Sequence, residues 1–142
     1  MPGEGAGAVV LKRYKDAVRD GDRVYSVIKA SATNNDGASL GIMAPNPEGQ
    51  ENIIRTVLAQ ANIDPDEIGY VEAHGTGTNI GDLIEVRSLS LAFNEKKPVT
   101  KQSCPIGSVK TNMGHQLAAA GISGLMKTSL AVYHKQIPAS LH

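Results

Sequence analysis

A single cysteine, Cys104, stands in the 142 residues, so no disulfide can close within the chain. A zinc site on His74, Cys104 and His115 fares no better, because no pair of them has ligand spacing and there is no second cysteine; no metal is expected. Charge of either sign is not in excess. Fourteen basic residues balance fourteen acidic ones, which removes any broad electrostatic pull toward nucleic acid or an anionic membrane. No signal-like apolar segment opens the chain and no apolar run is long enough to span a bilayer, so it reads as cytoplasmic, with neither nucleic acid nor membrane as partner. Internal repeats, linkers and low-complexity tracts are absent. So is a serine or cysteine in a recognisable nucleophile setting, and Cys104, in a strand with no helix N-terminus to lower its pKa, is expected to be a buried structural thiol.

Two stretches stand out among what is present: Val71-Glu72-Ala73-His74-Gly75-Thr76-Gly77-Thr78, and Gly107-Ser108-Val109-Lys110-Thr111-Asn112-Met113-Gly114-His115. Each ends an apolar, strand-like run at a turn of small residues and sets one imidazole there, where it can approach a substrate with little steric cost. Two such histidines suggest paired donors. The length suits one domain with a real core, and 41% hydrophobic residues with 15 glycines fit a globular α/β protein.

The chain opens abruptly on Gly3-Glu4-Gly5-Ala6-Gly7, a turn or bulge, and the β-rich run Ala8 to Leu11, as though entering a fold midway. A charged segment, Lys15 to Asp20, closes at Gly21-Asp22 and separates that run from a second strand, Val24 to Ile28; the two are expected to pair antiparallel. After the turn-rich Asn34-Asn35-Asp36-Gly37, Asn46 as N-cap and Pro47 at the first helical position open a helix whose Ile53, Ile54, Val57, Leu58 and Ala61 recur at helical spacing. Beyond the Asp64-Pro65 turn, Ile68 to Ala73 is a strand, and Asp82 to Phe93 a helix with Leu83, Ile84, Val86 and Leu91 inward. Pro105 to Val109 is the next strand. Gln116 to about His134 is the next helix, its Ala118-Ala119-Ala120-Gly121 allowing close backbone approach and its Leu125, Met126 and Leu130 entering the core. Strand then helix, twice, implies a parallel or mixed sheet covered by helices. The end, Ile137 to His142, reads as the approach to a further strand.

Gly75, Gly77 and Gly81 are spaced one residue longer than the dinucleotide fingerprint, and no Gly-Lys-Ser/Thr follows, so nucleotide binding is set aside. His134 and His142, at a helix end and the terminus, are assigned no role. Taken together, His74-Gly75-Thr76-Gly77-Thr78, Gly81-Asp82-x-Ile84-Glu85 and Gly107 to His115 closely resemble the β-ketoacyl synthase (ketosynthase) domains of modular polyketide synthases, in order and spacing. The resemblance covers essentially the whole chain, residues 1–142, which it identifies as a partial ketosynthase domain. It implies an α/β, thiolase-like α/β/α/β/α fold, incomplete here: the end of the first half and most of the second. It also implies a homodimeric acyltransferase that performs decarboxylative Claisen condensation.

In that family a cysteine takes the acyl chain, and two histidines assist decarboxylation of a malonyl extender carried by an acyl carrier protein. His74 and His115 match those histidines. Lys110, in isolation a solvated surface lysine, matches the lysine that sets the second histidine's orientation and field. Thr76 and Thr78, otherwise ordinary turn hydroxyls, match the threonines that bond the phosphopantetheine arm, which arrives on the carrier protein, so no cofactor is expected on the chain itself. Asp82 and Glu85 are expected to fix the helix start and its contacts, outside the chemistry. Gly124 stands nine residues beyond His115, where fatty-acid-type relatives have glutamate, which favours the polyketide branch. The matching cysteine is expected upstream of Met1 and the glycine-rich oxyanion segment downstream, in the remainder of the ketosynthase. The isolated chain is therefore expected to be inactive, completed by that remainder or by a second chain. A non-catalytic ketosynthase remnant that binds carrier protein or dimerises is the alternative.

Overall fold

A computed structural model describes residues 1–37, 39, 41, 45–95, 98, 100 and 102–141; His142 lies outside them. In chain order the elements are helices α1 (Tyr14–Asp20) and α2 (Pro47–Ala61), strand β1 (Val71–Glu72), helix α3 (Gly81–Phe93), strand β2 (Ile106–Gly107), and helices α4 (Lys110–Met113) and α5 (Ala120–His134). Short 3-10 turns occupy Pro65–Glu67 and Leu117–Ala119. The chain divides into two compact units, Lys29–Gly107 and Met1–Ile28 with Ser108 onward.

In the Lys29–Gly107 unit, α2 begins where the sequence predicts. The Asn46 side-chain oxygen accepts the Glu48 and Gly49 amides at 3.1 and 3.2 Å, and Pro47 spends no amide hydrogen at the first position. The Asn46 amide group also donates to the Asp36 carbonyl at 2.8 Å, so the cap ties the preceding loop to the helix. Asn46→Ala is expected to cost about 1 kcal/mol of stability. Urea unfolding followed by circular dichroism measures it.

Helix α3 packs on α2, but not by the face expected. Leu83, Val86 and Leu91 are exposed, Ile84 is half-buried, and the buried residues are Ser88, Leu89 and Ala92. Apolar residues occur all round α3, so periodicity names no unique inner face. Small side chains at Ser88 and Ala92 let the helices approach closely, and the fully buried Ser88 hydroxyl donates to the Pro47 carbonyl at 3.0 Å. Strands β1 and β2 pair in parallel, Val71 with Ile106 and Glu72 with Gly107, and the ladder continues through Ala73 N–H to the Gly107 carbonyl at 2.8 Å. Both strands are shorter than expected.

In the other unit, the charged Lys15 to Asp20 segment forms most of α1, ended by Gly21 in the left-handed region (φ 71°). The expected antiparallel pair of Ala8–Leu11 with Val24–Ile28 does not form among the described residues. Val24–Ile28 packs through side chains on α5 instead: the Tyr25 and Tyr133 ring centroids lie 4.9 Å apart and the Ser26 hydroxyl bonds that of Ser129 at 2.9 Å. The glycine run is not a turn either. It lies along residues 113–116, where Pro2 bridges His115 in parallel, and a Cβ on Gly3 would stand 2.2 Å from the Met113 carbonyl oxygen. Helix α5 buries Ala120, Ser123 and Gly124, whereas Leu125 and Leu130 are exposed and Gly121 faces open space.

Candidate active site

The candidate residues divide between the units. His74, Thr76 and Thr78 occupy the loop from β1 to α3, which reverses direction through Gly75 (φ 50°) and Gly77 (φ 75°), a backbone conformation that costs glycine little. Glu85 holds that loop. Its two carboxylate oxygens accept the His74 and Gly75 backbone amides at 2.6 and 2.9 Å, and Asp82 accepts the Gly77 amide at 3.1 Å. Helical side chains point back toward their own N-terminus, so carboxylates at positions 82 and 85 reach the turn that precedes the helix. Charge-assisted bonds of this kind fix the Cα of His74 and project its imidazole from an exposed residue. Glu85 is the residue that sequence reasoning undervalued, and the three-residue acidic spacing just after the glycine loop is the signal.

The threonines are paired. Thr78 Oγ1 accepts the Gly81 amide at 3.2 Å, and the Thr76 and Thr78 hydroxyl oxygens lie 3.2 Å apart. Two hydroxyls carry two protons, and one suffices for their mutual bond, so the other is available to an incoming acceptor.

In the other unit Lys110 opens the four-residue α4 and His115 follows its last residue by two positions. Ser108 starts that helix: its Oγ accepts the Lys110 amide at 3.3 Å and its carbonyl accepts the Thr111 hydroxyl at 2.9 Å. Lys110 and His115 are both half-buried. The imidazole of His115 has a defined tautomer, because its Nδ1 accepts the Leu117 backbone amide at 3.0 Å. A nitrogen that accepts carries no hydrogen, so in the neutral ring the proton sits on Nε2. Leu117 presents that amide from a left-handed conformation (φ 50°) that non-glycine residues seldom adopt, a strain on the order of 1–2 kcal/mol spent at the site.

Cys104 is half-buried in a bend before β2, and burial pushes its thiol pKa up. A raised pKa means less thiolate at neutral pH, so the cysteine is the wrong kind of nucleophile. An acyl thioester analogue is expected to leave no Cys104-dependent adduct by intact-mass spectrometry. Stoichiometric, hydroxylamine-reversible acylation there would overturn this. Among the described residues no group of three or more His, Cys, Asp or Glu could hold a metal ion, and no described helix is long and apolar enough to cross a membrane. His134 closes α5 with an edge contact to the Tyr133 ring at 5.1 Å.

Comparison with known proteins bears on these loops. Residues 25–142 match the family described as β-ketoacyl synthase, C-terminal domain. A phenolphthiocerol/phthiocerol polyketide synthase of Mycobacterium tuberculosis (strain H37Rv) is 56% identical over 140 residues, 99% of this chain and 7% of that protein. Polyketide synthase PksM of Bacillus subtilis (strain 168) is 54% identical over 142 residues, all of this chain and 3% of that protein. The ketosynthase from module 1 of the bacillaene synthase of Bacillus amyloliquefaciens FZB42 superposes with a TM-score of 0.95 at 46% identity, covering all of this chain and 26% of that one. For the module 6 ketosynthase of Bacillus subtilis 168 the score is 0.88 at 46% identity, over 92% of this chain and 23% of that one. The chain thus spans under a tenth of the matched synthases and about a quarter of the solved ketosynthases. The expected α/β, thiolase-like fold, as part of a ketosynthase domain, holds.

Proposed function

The chain belongs to the β-ketoacyl synthase C-terminal domain family, and on that premise we propose that it supplies the decarboxylation machinery of a polyketide ketosynthase. The substrate is a malonyl thioester on an acyl carrier protein. When its carboxylate leaves as carbon dioxide, the electron pair of the broken C–C bond is delocalised onto the thioester oxygen as an enolate. That oxygen gains the charge, and donors aimed at it lower the barrier.

The observation that carries the reading is the tautomer of His115, whose Nδ1 is engaged by the Leu117 amide so that Nε2 presents a proton. A neutral imidazole in this state gives a hydrogen bond without first having to lose or gain a proton. His74, on the loop held by Glu85, serves as the second donor. Lys110 adds positive field at the second histidine. The Thr76 and Thr78 hydroxyls bond the phosphopantetheine arm of the carrier. The enolate carbon then attacks an acyl thioester on a cysteine supplied from outside residues 1–142, the C–C bond forming as the cysteine sulfur leaves. Homodimer formation belongs to the same proposal.

The test is release of labelled carbon dioxide from a malonyl-carrier thioester by a complete ketosynthase domain bearing this sequence, with and without His115. No release above background with His115 in place would favour the non-catalytic binding module, and release that does not depend on the histidine would remove its donor role.

A further inference from the structure

Gln116 and Ser123 are each 6% exposed, unusual burial for polar side chains. Gln116 follows His115 directly, and Ser123 lies in the first turn of α5. The Gln116 Nε2 donates to the Glu4 carbonyl at 3.1 Å, and the Ser123 hydroxyl donates to Gln116 Oε1. These directions are forced. A backbone carbonyl only accepts, so the amide's NH2 end must face Glu4, and its oxygen then faces Ser123, which must give its proton there. The Ala119 carbonyl, 3.1 Å from the same hydroxyl, takes at most a share.

One buried amide therefore pins the N-terminal run to the start of α5. That run also grips His115: the Met1 carbonyl accepts the His115 amide at 2.9 Å, and the Gly3 amide donates to the His115 carbonyl at 3.0 Å. The fit is close enough that a Cβ on Gly5 would stand 2.4 Å from Gln116 Nε2. Resting on the reading of His115 as a donor, we propose that Gln116 and Ser123 are positioning residues for its imidazole. Without the amide, the run that holds the His115 backbone on both sides loses its anchor, and Nδ1 shifts off the Leu117 amide.

The experiment uses the complete domain bearing this sequence. Gln116→Met keeps length and bulk but makes no hydrogen bond; it is expected to lower kcat for carbon dioxide release by about tenfold or more at unchanged KM, within the range that ångström-scale misplacement produces. Nitrogen NMR of the resting protein should show His115 passing from one Nε2–H tautomer to a mixture. Ser123→Ala should reproduce both effects, and so serves should Gln116→Met fail to fold, whereas Ser123→Thr, which keeps the hydroxyl, should retain the native values. Variants that melt lower yet keep kcat and the ring signals would overturn the proposal. Failure of the donor reading is separable: His115→Ala would then leave decarboxylation intact, while the native ring spectrum still reports whether the pair holds the imidazole.

Discussion

Replacing His115 with alanine is expected to slow malonyl decarboxylation by roughly a hundredfold or more, the scale of losing one preorganised donor to a developing oxyanion. That is about 2.7 kcal/mol of transition-state stabilisation. The size follows from the ring's fixed state. Because Leu117 occupies Nδ1, the Nε2 proton needs no reorganisation as the enolate forms, and water entering the space left by alanine would have to orient itself at the moment of reaction. His74→Ala is expected to act on the same scale. Acylation of the cysteine should survive either change far better than condensation, since neither histidine is asked to activate the thiol. Rates of acyl loading and of carbon dioxide release, measured on the same preparations, make the check. Equal loss of both steps would remove the donor role and point to misfolding or to thiol activation.

What could be read from the sequence was what is decided locally. Asn46-Pro47 announces α2 because a cap and a first-turn proline act within four residues of one another, and the structure places that helix at Pro47–Ala61. The two histidine loops could be read for the same reason, as contiguous motifs. Burial was harder. Leu83 and Val86 look like core by residue type, yet α3 turns Ser88, Leu89 and Ala92 inward, because the choice depends on the shape of α2 and not on α3 alone. Gly3, Gly5 and Gly7 suggest a turn to anyone who sees only the run. Their spacing instead admits residues 113–116 and two side chains of α5, information held more than a hundred positions away. The tautomer of His115 was equally hidden, since nothing in a leucine foretells a left-handed backbone at Leu117.

Glu85→Ala is expected to be the most destabilising change among the carboxylates that hold the His74 loop, although Glu85 touches no substrate in the proposed reaction. It removes two charge-assisted acceptors at once and strands the His74 and Gly75 amides, which lie 2.6 and 2.9 Å from the carboxylate. Bonds to a charged partner contribute about 1.5–3 kcal/mol each, and discounting for the half-exposed setting leaves about 2–3 kcal/mol for the pair. For a chain of this size that is a fall in melting temperature of roughly 5–10 °C. Glu85→Gln divides the effect, because one amide oxygen still accepts while its NH2 group opposes the second backbone N–H. Asp82→Ala, which loses only the Gly77 bond at 3.1 Å, should cost least. The same ranking is expected in decarboxylation, since the loop that Glu85 braces carries His74. Thermal melts and carbon dioxide release on the three variants would test it. Unchanged melting with Glu85→Ala would mean that Gly75 and Gly77 shape the turn unaided, and the carboxylate would lose its place in the site.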